Sequence, residues 1–163
     1  MNRAIFLDRD GVINKKGKFY YISKEEDFEL NDGVIDALKY FISQEYLLII
    51  ITNQGGVSKG FFTLEQLEEL HNRLKGMLLA HDIRLTDIYF CPHHPDNEAC
   101  GCRKPGTLLF EQAVKRYDID TAQSWMIGDS PSDIEAADKM GIRGIQIPTN
   151  GNIMELIVNK GII

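Results

Sequence analysis

The sequence predicts an α/β fold, a Rossmann-like three-layer domain built on a mainly parallel central sheet. Two observations carry this. Five short runs rich in β-branched and aromatic residues alternate with amphipathic stretches of helical period, the order that right-handed crossovers produce. Several of those runs end abruptly in small polar or acidic residues, and open parallel sheets bind their ligands beyond the carboxyl ends of their strands.

Taken in order, the first run, Ala4 to Leu7, is uniformly apolar, as expected of a strand buried on both faces. It hands the chain to Asp8-Arg9-Asp10-Gly11. A helical pattern over 34–43 leads to a second apolar run, Tyr46 to Thr52, which ends in Asn53-Gln54-Gly55-Gly56. Thr63, followed by Glu65 and Gln66, is a plausible cap for a long amphipathic helix reaching Ala80. A third strand is expected over Asp87 to Cys91 and a helix over Thr107 to Tyr117. A fourth strand, Ser124 to Ile127, runs into Gly128-Asp129-Ser130-Pro131-Ser132-Asp133 and a helix to Met140, with Gly141 as its stop. Arg143 to Ile147 reads as the last strand and Ile153 to Asn159 as a final helix. Two aperiodic stretches, Asn14 to Asp32 and Pro92 to Gly106, have the length of functional loops and belong over the carboxyl edge of the sheet.

Composition limits the options. A chain of 163 residues, 44% hydrophobic and 26% charged, suits one domain spanning 1–163. Eighteen basic against 24 acidic residues give a net charge of −6 with no long basic run, which argues against nucleic acid as a partner. No apolar stretch approaches the roughly 20 residues that span a bilayer, so no membrane partner and a cytoplasmic location are expected. The 3 cysteines are an odd number and fall between positions 91 and 102, a clustering that suggests a metal rather than a disulfide framework. A monomer is expected.

The chemistry-bearing residues converge on one type of site. Asp8 and Asp10 emerge together at a strand end, where a polar turn is the alternative reading. In Thr52-Asn53-Gln54-Gly55-Gly56, the glycines let backbone N–H groups approach an anion and Thr52 can donate to a phosphate oxygen; a simple strand exit is the alternative. Lys104 can neutralise a transferring phosphoryl group, and Arg103 beside it offers a planar fork for a second phosphate, although exposed pairs of this kind are often only solvated. Asp129 alongside Asp8 makes a hard oxygen site of the kind Mg²⁺ prefers. Asp133 sits in the first turn of a helix, where it also complements the helix dipole. Cys91-x-His93 followed by Cys100-x-Cys102 supplies four borderline-soft ligands for a closed, structural tetrahedral Zn²⁺ site, with His94 able to replace His93 on spacing alone.

Asp-x-Asp after the first strand, Thr after the second, a Lys ahead of a later helix and Gly-Asp with further acids after the fourth strand together resemble the haloacid dehalogenase superfamily of phosphotransferases. The resemblance covers Ile5 to about Ile147. It implies that Asp8 is the nucleophile, forming an aspartyl-phosphate, and Asp10 the general acid and then base. Thr52, Asn53 and Lys104 would hold the phosphoryl oxygens. Mg²⁺ would be bound by the Asp8 carboxylate, the Asp10 carbonyl and Asp129, with Asp133 behind them steadying the lysine or a metal-bound water. Only about 18 residues separate Asn14 from Asp32 and the helix from Leu64 to Ala80 leads straight to the third strand, which leaves no place for a cap domain, so loops must wall the pocket.

With its zinc loop the chain is similar to the small capless branch that contains heptose 1,7-bisphosphate phosphatases and histidinol-phosphatase domains. Asp8-Arg9-Asp10-Gly11, Thr52-Asn53-Gln54, Cys91-Pro92-His93-His94-Pro95 and Cys102-Arg103-Lys104-Pro105 carry that likeness. It implies His93 as the zinc ligand and Asn53, Gln54 and Arg103 as substrate contacts. The Gly56 to Thr63 segment favours a heptose bisphosphate; the short Cys91 to Cys100 spacing leans toward histidinol phosphate. Gly106-Thr107 after Pro105, and the length of the loop from Asn14 to Tyr21, depart from the pattern. A catalytically retired phosphate-binding module is the non-enzymatic alternative. Trp125 is expected in the core, His71 and His81 on the surface or partly buried, and Phe61 and Phe62 either at the substrate or anchoring their loop.

Overall fold

In the computed structural model, which describes residues 1–17 and 28–163, strands and helices alternate along the chain. They are β1 (Arg3–Leu7), α1 (Val34–Ser43), β2 (Tyr46–Asn53), α2 (Leu64–Leu79), β3 (Asp87–Cys91), α3 (Leu108–Tyr117), β4 (Trp125–Gly128), α4 (Pro131–Lys139) and β5 (Arg143–Gln146). The expectations for the middle of the Asn14–Asp32 loop fall outside the described residues. The five strands form one sheet in the order β3-β2-β1-β4-β5, every pairing parallel.

Alternation along the strands builds the three layers. Ile5 and Leu7 of β1, Leu48 and Ile50 of β2 and Ile127 of β4 face the layer that holds Val34, Leu38 and Phe41 of α1 and Leu70, Leu74 and Leu78 of α2. Ala4, Phe6, Ile49, Ile51 and Met126 point the other way, onto Leu109, Phe110 and Ala113 of α3 and Ala136 and Ala137 of α4. Each fully buried Leu, Ile, Val, Phe or Met side chain among these stabilises the fold by about 1.5–3 kcal/mol before conformational entropy is counted, the alanines less. Phe6 and Phe110 rings meet with centroids 5.2 Å apart. That contact ties the central strand to α3.

Local chemistry sets the helix ends. Thr63 and Gln66 form a reciprocal capping box, the Thr63 hydroxyl accepting from Gln66 N at 3.1 Å and the Gln66 side chain from Thr63 N at 2.9 Å. Gly141, at φ +69°, follows α4. The expected final helix is instead a short π-helical segment, Met154–Val158, with Ile157 buried against the α1 layer. Its apolar spacing is equally compatible with either helical hydrogen-bond pattern.

Register places the chemistry. Leu7 stands opposite Ile50 of β2 and Ile127 of β4, so the residues that follow β1 rise between the ends of its two neighbours. Trp125 is only partly buried at the start of β4, where the Arg143 guanidinium lies 4.1 Å from its ring centroid. The expectation of a core tryptophan holds in part: the ring packs against the buried cluster of the α1 layer, and β5, an edge strand, leaves it partly buried. Among the described residues no helix is long and apolar enough to cross a membrane.

Candidate active site

Beyond the carboxyl edge of the sheet lies a cavity of about 130 Å³ walled by Asp8, Asp10, Lys16, Asn53, Gly55, Arg103, Lys104, Asp129, Ser130, Ser132 and Asp133. Residues separated by as much as 125 positions thus meet because β1, β2 and β4 are neighbours. The floor is a buried ion cluster. Lys104, 3% exposed, directs its ammonium to Asp8 Oδ1 at 2.9 Å, Asp133 Oδ1 at 2.6 Å and the Ile51 carbonyl at 2.7 Å. All three of its N–H groups have acceptors, which satisfies a charge that would otherwise be costly to bury. Burial disfavours that charge, yet Asp8 and Asp133 outweigh it and hold the lysine protonated.

Asp8 is pushed upward from the ordinary carboxylate range by burial and by the charges of Asp133 and Asp10, with Lys104 opposing. Asp129 is raised too, by burial and by Asp8, against a hydrogen bond from Thr149 Oγ1 at 2.8 Å. Asp8, Asp129 and Asp133 each bring a carboxylate oxygen within 4.8 Å of the others. Three carboxylates against one ammonium leave an excess of negative charge around hard oxygen donors, and a divalent cation of the Mg²⁺ type fits that excess. Gly11, at φ +84°, lets the backbone pass here: a Cβ on it would strike the Asp129 carboxylate.

Asp10 has a different environment. Burial would raise it, but the Arg9 charge and hydrogen bonds from Arg9, Asn14 and Gln54 hold it below the usual range. Gln54 is buried outside the cavity wall, its Nε2 donating to Asp10 Oδ2 at 3.0 Å and to Thr52 Oγ1 at 2.8 Å. Thr52 is buried beneath the site beside it. Asn53 clamps the lysine loop from both sides, its Oδ1 accepting from Lys104 N at 2.9 Å and its Nδ2 donating to the Lys104 carbonyl at 3.2 Å.

The sulfur and imidazole ligands expected for zinc also converge. Cys91 ends β3, and its Sγ lies 2.7 Å from Cys102 Sγ and 3.5 Å from both Cys100 Sγ and His93 Nδ1; His93 Nδ1 is 3.2 Å from Cys102 Sγ. His94 points away, its Nδ1 accepting from Asp96 N at 3.2 Å. Burial raises the Cys91 thiol, whereas at Cys100 burial is outweighed by backbone N–H donation from Arg103 and by the other thiols, bringing it to about 7. Three sulfurs and one nitrogen around one point match the donor set of a closed Zn²⁺ site. Arg103 hangs from this loop at the cavity wall, with Nη1 donating to the His93 carbonyl at 3.4 Å.

Several residues at or under the site were not singled out from sequence. Lys16 lines the cavity and is pinned through its backbone to Asn150, N to Oδ1 at 2.7 Å and carbonyl to Nδ2 at 2.9 Å. Arg9 is completely buried, and His71, expected at or near the surface, is 5% exposed with Nε2 2.9 Å from Arg9 Nη1. Its spacing held the clue, four residues after Leu67 and three before Leu74 on the buried stripe of α2. Phe62 is buried as an anchor of its loop, whereas Phe61 is 60% exposed.

Comparison with known proteins agrees with this geometry. A family model described as HAD-hydrolase-like matches residues 101–155. The D-glycero-beta-D-manno-heptose-1,7-bisphosphate 7-phosphatase of Haemophilus influenzae is 40% identical over 141 residues, covering 83% of this chain and 76% of the relative. That of Helicobacter pylori is 46% identical over 137 residues, covering 83% and 77%. Among solved structures, the D,D-heptose 1,7-bisphosphate phosphatase from B. bronchiseptica, complexed with magnesium and phosphate, superposes with a TM-score of 0.84 at 29% identity, covering 98% of this chain and 87% of that one. The chain therefore belongs to the haloacid dehalogenase-like phosphatases, in the family of the heptose 1,7-bisphosphate 7-phosphatases.

Proposed function

We propose that this chain removes the 7-phosphate from D-glycero-D-manno-heptose 1,7-bisphosphate, in the cytoplasm, through an aspartyl-phosphate on Asp8. The observation that carries the reading is the Asp8 carboxylate at the cavity floor, held 2.9 Å from the Lys104 ammonium with Asp129 beside it. A bound Mg²⁺, held by the Asp8 carboxylate, the Asp10 carbonyl and Asp129, would offset the repulsion between Asp8 and a phosphate dianion.

An Asp8 carboxylate oxygen attacks phosphorus in line, forming the Asp8–phosphorus ester as the bond to the sugar oxygen breaks. Asp10 protonates the departing alkoxide from the fraction that carries a proton, since Arg9, Asn14 and Gln54 favour its ionised form. Water then attacks the ester phosphorus, Asp10 takes its proton, and inorganic phosphate leaves with Asp8 regenerated. Lys104 stays against the phosphoryl oxygens throughout and neutralises charge as it builds on them. Thr52 and Asn53 support that group from the β2 end. Gln54 acts through the Asp10 carboxylate it touches. Arg103 at the rim binds the phosphate that is not cleaved, and a bisphosphate supplies one. Zn²⁺ held by Cys91, His93, Cys100 and Cys102 fixes the loop that carries Arg103 and Lys104.

The test is phosphate release with Mg²⁺ from the heptose bisphosphate anomers, histidinol phosphate and hexose monophosphates. The expected result is highest kcat/KM on a heptose bisphosphate, and a fall of at least about three orders of magnitude in Asp8→Asn with the fold intact. Equal turnover by Asp8→Asn would overturn the chemistry, and preference for histidinol phosphate would overturn the substrate.

A further inference from the structure

The two oxygens of Asp10 have unequal partners. Oδ1 accepts from Arg9 Nη2 at 2.8 Å, Arg9 Nε at 3.2 Å and Asn14 Nδ2 at 3.0 Å, whereas among the described residues Oδ2 accepts from Gln54 Nε2 at 3.0 Å. Arg9 in turn is anchored. Its guanidinium carbon lies 5.9 Å from the Phe28 ring centroid, and Nη1 is 2.9 Å from His71 Nε2. A guanidinium only donates, so His71 Nε2 is the acceptor and the ring keeps its proton on Nδ1. The imidazole is itself packed in place, 5.8 Å between centroids from Phe90 of β3.

We propose that His71 and Arg9 are positioning residues for the acid–base step: His71 fixes the Arg9 fork, and the fork saturates Asp10 Oδ1 so that Oδ2 is the atom that exchanges the proton. The inference rests on the role given to Asp10 under Proposed function. An oxygen with three donors around it has no room for a proton. Oδ2, with one donor, retains a lone pair that carries the proton given to the leaving alkoxide and later taken from water. Losing the acceptor at position 71 frees one arm of the fork and lets the carboxylate turn. A displacement of about 1 Å in such a group costs on the order of 100-fold in rate.

Leaving-group dependence separates this role from a purely structural one. The kcat/KM ratio covers steps through the first irreversible one, breakage of the bond to the leaving oxygen. A sugar alkoxide needs a proton at that moment and p-nitrophenolate does not. His71→Leu is expected to lower kcat/KM on heptose 1,7-bisphosphate by about 30- to 100-fold, chiefly in kcat, and on p-nitrophenyl phosphate by less than about threefold. His71→Gln, whose amide oxygen can accept from Arg9, is expected to recover most of the loss. Arg9→Lys, which keeps the charge but not the fork, is expected to reproduce the split and serves if His71→Leu does not fold. Equal losses on both substrates, or an alkyl rate within threefold of the wild type in His71→Leu and Arg9→Lys, would overturn the inference while leaving the proposed activity intact. An inactive wild type would overturn both.

Discussion

Asp133 reaches across from the first turn of α4 to Lys104, Oδ1 to Nζ at 2.6 Å, and both side chains are 2% exposed. The same carboxylate accepts from Ser130 N at 3.1 Å through its other oxygen, so one residue caps a helix and counters a buried cation. Removing a single partner of a buried pair leaves the other charge uncompensated, at a cost of about 3–5 kcal/mol. Asp133→Ala is therefore expected to lose stability on that order in urea titrations. Asp133→Asn, which can keep the cap but not the charge, should lose less. Both should lose activity, because Asp8 would then be the one carboxylate among the described residues left in contact with Lys104.

Zinc should be part of the folded protein. If Cys91, His93, Cys100 and Cys102 hold it, metal analysis of the purified chain will find about one zinc per molecule, and Cys102→Ser will lose it. Structural zinc contributes binding free energy directly to folding. The loop carrying Arg103 should then become protease-sensitive, and KM for a bisphosphate should rise more than KM for a monophosphate. A zinc-free wild type with a protected loop would contradict the assignment.

Gly11 combines a left-handed backbone with a close approach to a site carboxylate. At φ +84° an L-residue is strained by about 1–2 kcal/mol, and the added methyl would meet the Asp129 carboxylate. Gly11→Ala is expected to shift the unfolding midpoint modestly while lowering activity and apparent Mg²⁺ affinity much more. Isothermal titration with Mg²⁺ on the variant would separate the two effects.

What could be read from sequence was local. The strands ended where apolar runs met polar residues, and the Asp8, Thr52 and Asp129 neighbourhoods followed from those endings and parallel pairing. Zinc-ligand candidates were legible because all four lie within 12 positions, Cys91 to Cys102. Contacts between distant segments were not: Lys16 and Asn150 are 134 positions apart and carry no periodic signal. The departure at Gly106 also acquires a reason only in three dimensions. Its N–H closes onto the Arg103 carbonyl at 2.6 Å, and a Cβ would collide with the carbonyls of Gly101 and Arg103. The turn closes only around a glycine.

His71 adds a pH dependence to stability that is separable from catalysis. Burial, with the neighbouring Arg9 charge, lowers it from 6.5 to about 3, so the native ring stays neutral where the unfolded chain binds a proton. With more protons bound in the unfolded state, stability falls as pH drops below 6.5 and continues to fall toward 3, by up to about 1.4 kcal/mol per pH unit. Carboxylates titrate in the lower part of that window in wild type and variant alike. His71→Leu has no proton to gain, so its stability should be lower near pH 7, where Arg9 has lost an acceptor, but flatter between pH 6 and 4. Urea titrations of both proteins across that range test this directly. Parallel curves would mean that the native state already accommodates a charged imidazole beside Arg9, contrary to the buried contact at 2.9 Å.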